Sequence, residues 1–148
     1  MAITKKESVK RINLREFQDY SDATVTEKKK IKTEVGLFVV DQINDFLDRS
    51  TSPVSGGQFK KKRKDKKPSK LFEDGDMRSQ ITFAEFKDGV DVGIFSNAPL
   101  VEKLKAFNHN VGDTLPRRQF VPDKKQKFKR KINTGIKKII EKLSKDAA

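Results

Sequence analysis

At 148 residues, with 34% hydrophobic and 37% charged side chains and a net charge of +13, the chain has the length of one domain with an economical core. The absence of cysteine excludes disulfides, thiolate catalysis and cysteine-ligated zinc. No stretch approaches the ~20 apolar residues of a membrane span, and the basic residues 1–10 lead into no apolar run, so the expectation is a soluble chain made in the cytoplasm.

In chain order, Ile12, Leu14, Phe17 and Tyr20 suggest a short helix or an arm over residues 1–25, ahead of a single domain at 26–148. Residues 26–48 place Ile31, Val35, Phe38, Val39, Gln42 and Phe46 at steps of three and four, the spacing of one helix face. Thr26 is the expected cap, without a full capping box because Lys29 stands three positions on. Gly36 weakens this helix slightly, and Pro53 with the Gly56-Gly57 pair stops it. A lysine-rich stretch follows with almost no apolar anchor and reads as a mobile loop at 58–70. Residues 77–86 then lead through Lys87-Asp88-Gly89 into Val90, Val92 and Ile94, whose alternation has the period of a half-buried strand, and Asp-Gly between such runs signals a hairpin. Ser96-Asn97-Ala98-Pro99 opens a short amphipathic helix carried by Leu100, Val101, Leu104 and Phe107. The region 108–122 is irregular, punctuated by Gly112, Pro116 and Pro122, with a third strand expected at 119–121. Phe128, Ile132, Ile136, Ile139, Ile140 and Leu143 close the chain as an amphipathic helix, with Asp123 expected to cap it. The order predicts an α+β fold, an antiparallel β-sheet packed against a long N-terminal helix and a C-terminal helix, with a long basic loop.

Little in this chain suits catalysis. Its one histidine, His109, has no second histidine for a metal pair and no cysteine for a nucleophilic dyad, and it reads as a loop residue bonding to nearby backbone. Glu73, Asp74 and Asp76 lack the rest of a calcium loop and read as a solvated turn. Gly56-Gly57 is followed by no phosphate-binding Gly-Lys-Ser/Thr pattern. The expectation is therefore a protein that is not an enzyme and carries no cofactor and no metal.

The charge is instead confined to two places. Residues 59–70 carry +7 and residues 124–145 carry +9, which leaves the remainder at −3. The first segment reads equally as a solvated loop or as a contact for phosphates or an acidic protein surface. Its lysines are not interleaved with aromatic residues, which argues against a single-strand stacking platform. In the second, the isoleucine stripe is core and the lysines are its wet side, a side that can lie against an acidic neighbour. Candidate partner-binding residues are Lys60, Lys61, Lys62, Arg63, Lys64, Lys66 and Lys67 in the loop, Arg117 and Arg118 before the third strand, and Lys129, Arg130, Lys137 and Lys138 in the last helix.

Four runs of residues carry a resemblance. The long helix ends in Thr51-Ser52-Pro53-Val54-Ser55-Gly56-Gly57, Leu71-Phe72-Glu73-Asp74-Gly75-Asp76-Met77 opens the hairpin, and Phe107-Asn108-His109-Asn110-Val111-Gly112 precedes Leu115-Pro116-Arg117-Arg118-Gln119-Phe120-Val121-Pro122. In this order and spacing the chain, over residues 27–143, resembles the tail-completion or head-tail joining (neck) proteins of tailed bacteriophages, including the virion-morphogenesis group of Mu-like phages. The resemblance implies an α+β fold and a structural role in the virion, made in the host cytoplasm. It also implies assembly with itself as a ring, commonly hexameric, beside neck, connector and tail-tube proteins, with incidental contact with DNA and none with membrane. The segment around His109 and Gly112 would be a structural signature. The lysine run at 59–70 departs from the common pattern and suits an arm reaching a neighbouring subunit. A basic nucleic-acid-binding module is the alternative.

Overall fold

A computed structural model of the protein describes residues 8–49, 51–57, 80–95, 120–122 and 126–146, with side chains as far as residue 144. The described elements are β1 (Ser8–Asn13), a 3-10 turn at Leu14–Glu16, α1 (Gln18–Ser21), α2 (Val25–Asp48), β2 (Thr82–Phe86), β3 (Gly89–Ile94) and α3 (Arg130–Asp146). They form a three-stranded antiparallel sheet in the order β1-β3-β2 against a long and a C-terminal helix, an α+β fold.

The amino-terminal expectation of a short helix is met by α1 at Gln18–Ser21, and the sheet adds what was not expected. Part of the segment 1–25, expected as an arm or short helix, supplies β1, which pairs along β3 from Ser8 opposite Ile94 to Asn13 opposite Gly89. Ile12 is in that strand, Leu14 in the 3-10 turn, and only Tyr20 of the four apolar residues in α1. The strand was hidden because β1 is an edge whose polar residues interrupt the apolar pattern. Arg11 pairs through two guanidinium nitrogens with the Asp91 carboxylate at 2.9 and 3.0 Å and lies 4.1 Å from the centroid of Phe86, so it belongs to the outer face of the sheet. That bond, and then the charge of Asp91, raises the Arg11 pKa above its ordinary value. The strand expected at 119–121 is absent at Phe120 and Val121, which are buried in irregular backbone; Gln119 lies outside the described residues.

Strand β3 sits between its two neighbours and has Val90, Val92 and Ile94 fully buried on the helix-facing side. Gly93 adopts φ +145°, a conformation that L side chains rarely take, and a Cβ there would overlap the carbonyl oxygen of Ser8 across the ladder. The hairpin turn is Lys87-Asp88, between paired Phe86 and Gly89. It is held from three sides: the Leu14 N–H donates to the Asp88 carbonyl at 2.9 Å, Lys32 Nζ donates to the Phe86 carbonyl at 3.2 Å, and the Tyr20 hydroxyl reaches the Lys87 carbonyl at 3.4 Å.

Helix α2 begins at Val25, one residue before the expected start at 26. Its cap is Thr24 in place of Thr26: Thr24 Oγ1 accepts the Glu27 N–H at 3.2 Å and donates to Glu27 Oε1 at 2.9 Å. A capping residue with glutamate three positions on satisfies an otherwise orphan backbone donor. The buried face runs through Ile31, Val35, Gly36, Val39, Ile43, Phe46 and Leu47. Phe38 and Gln42 are only half-buried, at the edge of that face. Gly36 proves to be a packing position, since a Cβ there would overlap the Phe83 ring of β2. Helix α3 contributes Ile132, Ile136 and Ile140 to the same core, with Phe128 just ahead of it. It begins at Arg130; Asp123, the expected cap, lies outside the described residues.

The turn after α2 explains how α3 starts. Ser52 Oγ accepts the N–H groups of Val54 and Ser55 at 3.1 and 3.2 Å, and Gly56 turns at φ +76°. The Pro53 carbonyl then accepts the Lys129 N–H at 2.7 Å, fixing the residue before the helix. The loop expected at 58–70, the helix expected from Ser96, and the region 108–119 lie outside the described residues.

Candidate interaction surface

Among the described residues no group of three or more His, Cys, Asp or Glu could hold a metal ion, and no helix is long and apolar enough to cross a membrane. His109, Glu73, Asp74 and Asp76 lie outside the described residues. The chemistry on view is that of a surface.

That surface is built by the periodicity of α3. Three isoleucines of its stripe are buried, and the exposed residues between Arg130 and Ser144 are Arg130, Lys131, Thr134, Lys137, Lys138 and Lys142. Five of these six are cations, and none forms an ion pair with another described residue. A helix with one apolar face and one cationic face attaches by the first and leaves the second for an anionic partner or water.

The candidate partner-binding cations do not form one cluster. Arg130 and Lys138 line an open groove between α2 and α3 of about 500 Å³, together with Lys131, Thr134 and Gly135 of α3 and Phe38 and Gln42 of α2. A Cβ at Gly135 would overlap the Phe38 ring, so that glycine lets α2 lie close to the α3 backbone. Lys137 faces a different, smaller groove of about 310 Å³ with Glu16, Asp19 and Glu141. Lys129 stands ahead of α3, where its side chain lies against Gly56. Lys60, Lys61, Lys62, Arg63, Lys64, Lys66, Lys67, Arg117 and Arg118 lie outside the described residues.

The sequence reading missed two parts of this surface. Lys131 belongs with Lys138, seven positions apart, a spacing that returns a side chain to the same side of a helix after two turns. Beside the groove, α2 carries exposed Glu34 and Asp41, also seven apart, with Leu37 between them at 54% exposure. The 34, 37, 41 spacing is present in the sequence, but the apolar period of the same helix marks only its buried side. The groove also contains an unsatisfied group that only coordinates could reveal: Gln42 Oε1 is buried without a hydrogen-bond partner. Compared with models of protein families, with curated proteins and with solved structures, the chain gives no match.

Proposed function

We propose that the protein is a structural component of a tailed-bacteriophage virion, acting in tail completion or head-to-tail joining and assembling as a ring at the neck or tail end. The order of motifs over residues 27–143 motivates this reading, and the observation that carries it beyond the sequence is the two-faced construction of α3. Its isoleucines are spent on the core and its exposed side chains are cationic in five of six cases, which suits a subunit that completes its contacts on acidic neighbouring proteins. The α+β architecture is the one the resemblance implies.

Nucleic-acid binding competes for the same cations. A duplex groove or phosphate backbone favours a continuous positive surface, whereas here exposed Glu34 and Asp41 of α2 stand about one helical turn either side of Phe38, which lines the groove with Arg130, Lys131 and Lys138. Reversing the charges of Lys60, Lys61, Lys62, Arg63 and Lys64 tests the choice. The reading predicts full heads and finished tails that fail to join, with the purified variant folded as the parent by circular dichroism. Normal virions from that variant contradict it, and so does tight duplex binding by the parent protein with a steep salt dependence.

A further inference from the structure

The groove between α2 and α3 has a basic side and an acidic stripe next to it. On α2, exposed Glu34 and Asp41 stand four residues before and three after Phe38, which lines the groove, so helix spacing sets them on the adjoining stripe with exposed Leu37 between them; on α3, Lys131 and Lys138 line the groove, are exposed and bracket Thr134 and Gly135. Each bracket spans seven residues, about 10.5 Å along its helix. No ion pair joins Glu34 or Asp41 to a described cation, so the acidic and basic stripes stand side by side.

We propose that this face binds a second copy of the same chain about a two-fold axis. Adjacent stripes of opposite sign and equal spacing are self-complementary: a half-turn sets the acidic stripe of each copy on the basic stripe of the other. Leu37, 54% exposed, is the apolar knob between the two acids, and the groove beside Phe38 is the apolar recess between the two lysines that receives it. Complementary charge also explains why a chain of net charge +13 does not simply repel its own copy at this face. This contact is separate from ring closure, which needs a head-to-tail surface, so it stands or falls independently of the proposed virion role.

Sedimentation equilibrium of the full chain tests it, at about 100 μM protein and about 10 mM salt, where charges act over about 30 Å. The expected species is a dimer of twice the 16.9 kDa chain mass, dissociating as salt is raised. Asp41→Lys and Lys138→Glu each place like charges at both symmetric contacts and should each weaken the dimer about tenfold or more, as should Leu37→Ser through loss of the knob. An equimolar mixture of the Asp41→Lys and Lys138→Glu proteins should recover the dimer as a heterodimer, because both contacts are then opposite in sign. All four substituted or mixed samples should keep the far-ultraviolet spectrum of the parent. A parent that stays monomeric, a parent that forms a larger closed ring in place of a dimer, or a mixture that shows no recovery overturns the two-fold contact.

Discussion

Two buried residues show how single positions hold this protein together. Gly36 sits where the Phe83 ring of β2 meets α2, and Gly36→Ala forces that ring aside although alanine is the better helix former. Overpacking should win, with a net loss of about 1–3 kcal/mol in urea denaturation; a stabilised variant would mean the ring moves freely. Tyr20 is fully buried, and it is the chain's only tyrosine, with no tryptophan beside it, so phenolate absorbance reads it alone. Burial, and secondarily the charge of Asp88, raises its pKa above the ordinary 10.0. Since the folded value is the higher one, its contribution to stability is complete below pH 10.0 and is lost as pH climbs through the folded value. A spectrophotometric titration should show the folded midpoint above that of the urea-unfolded chain. Equal midpoints would contradict the burial.

Among the elements, β1 is the one whose role most exceeds its sequence signal. Gly93→Val would put a side chain into the Ser8 carbonyl and strain a φ of +145°, so it should separate β1 from β3 and cost about 3 kcal/mol or more. Hydrogen exchange should show Ser8–Asn13 losing protection ahead of α2. By comparison Thr24→Ala removes one cap bond and should cost about 1 kcal/mol, whereas Thr26→Ala should cost little.

These two helix starts also mark what sequence patterns can and cannot disclose here. Helices α2 and α3 and the hairpin were legible because apolar period and turn chemistry are local. The third strand was not, because pairing Ser8 with Ile94 is a long-range choice that Val9, Ile12 and their charged neighbours do not advertise. Of the surface, the cationic side of α3 was legible from spacing. The groove was not, because it depends on Phe38 and Gly135 meeting across two helices, and because Gln42, whose spacing matches the buried face, stands at its edge.

At the scale of the whole molecule, the core gathers the sheet, α2 and α3 into one cluster and leaves an outer surface divided by charge. The two proposed contacts share the cations of α3: Lys131 and Lys138 would meet the acidic stripe of a second copy, and the remaining exposed cations Arg130, Lys137 and Lys142 are left for acidic neighbours in a particle. Both are electrostatic at the rim, so both should weaken as salt rises above physiological strength, while the fold, held by buried isoleucine, valine and phenylalanine, should not. Light scattering and circular dichroism over one salt series separate the two. Parallel loss of structure and association would contradict that division.

The central claim is a place in a virion, and electron microscopy of intact particles carrying a tagged copy of the chain tests it most directly. Density for the tag is expected in a closed ring where the tail meets the head or at the tail end. Purified particles that lack the chain, or a tag found only on the packaged DNA, would contradict it.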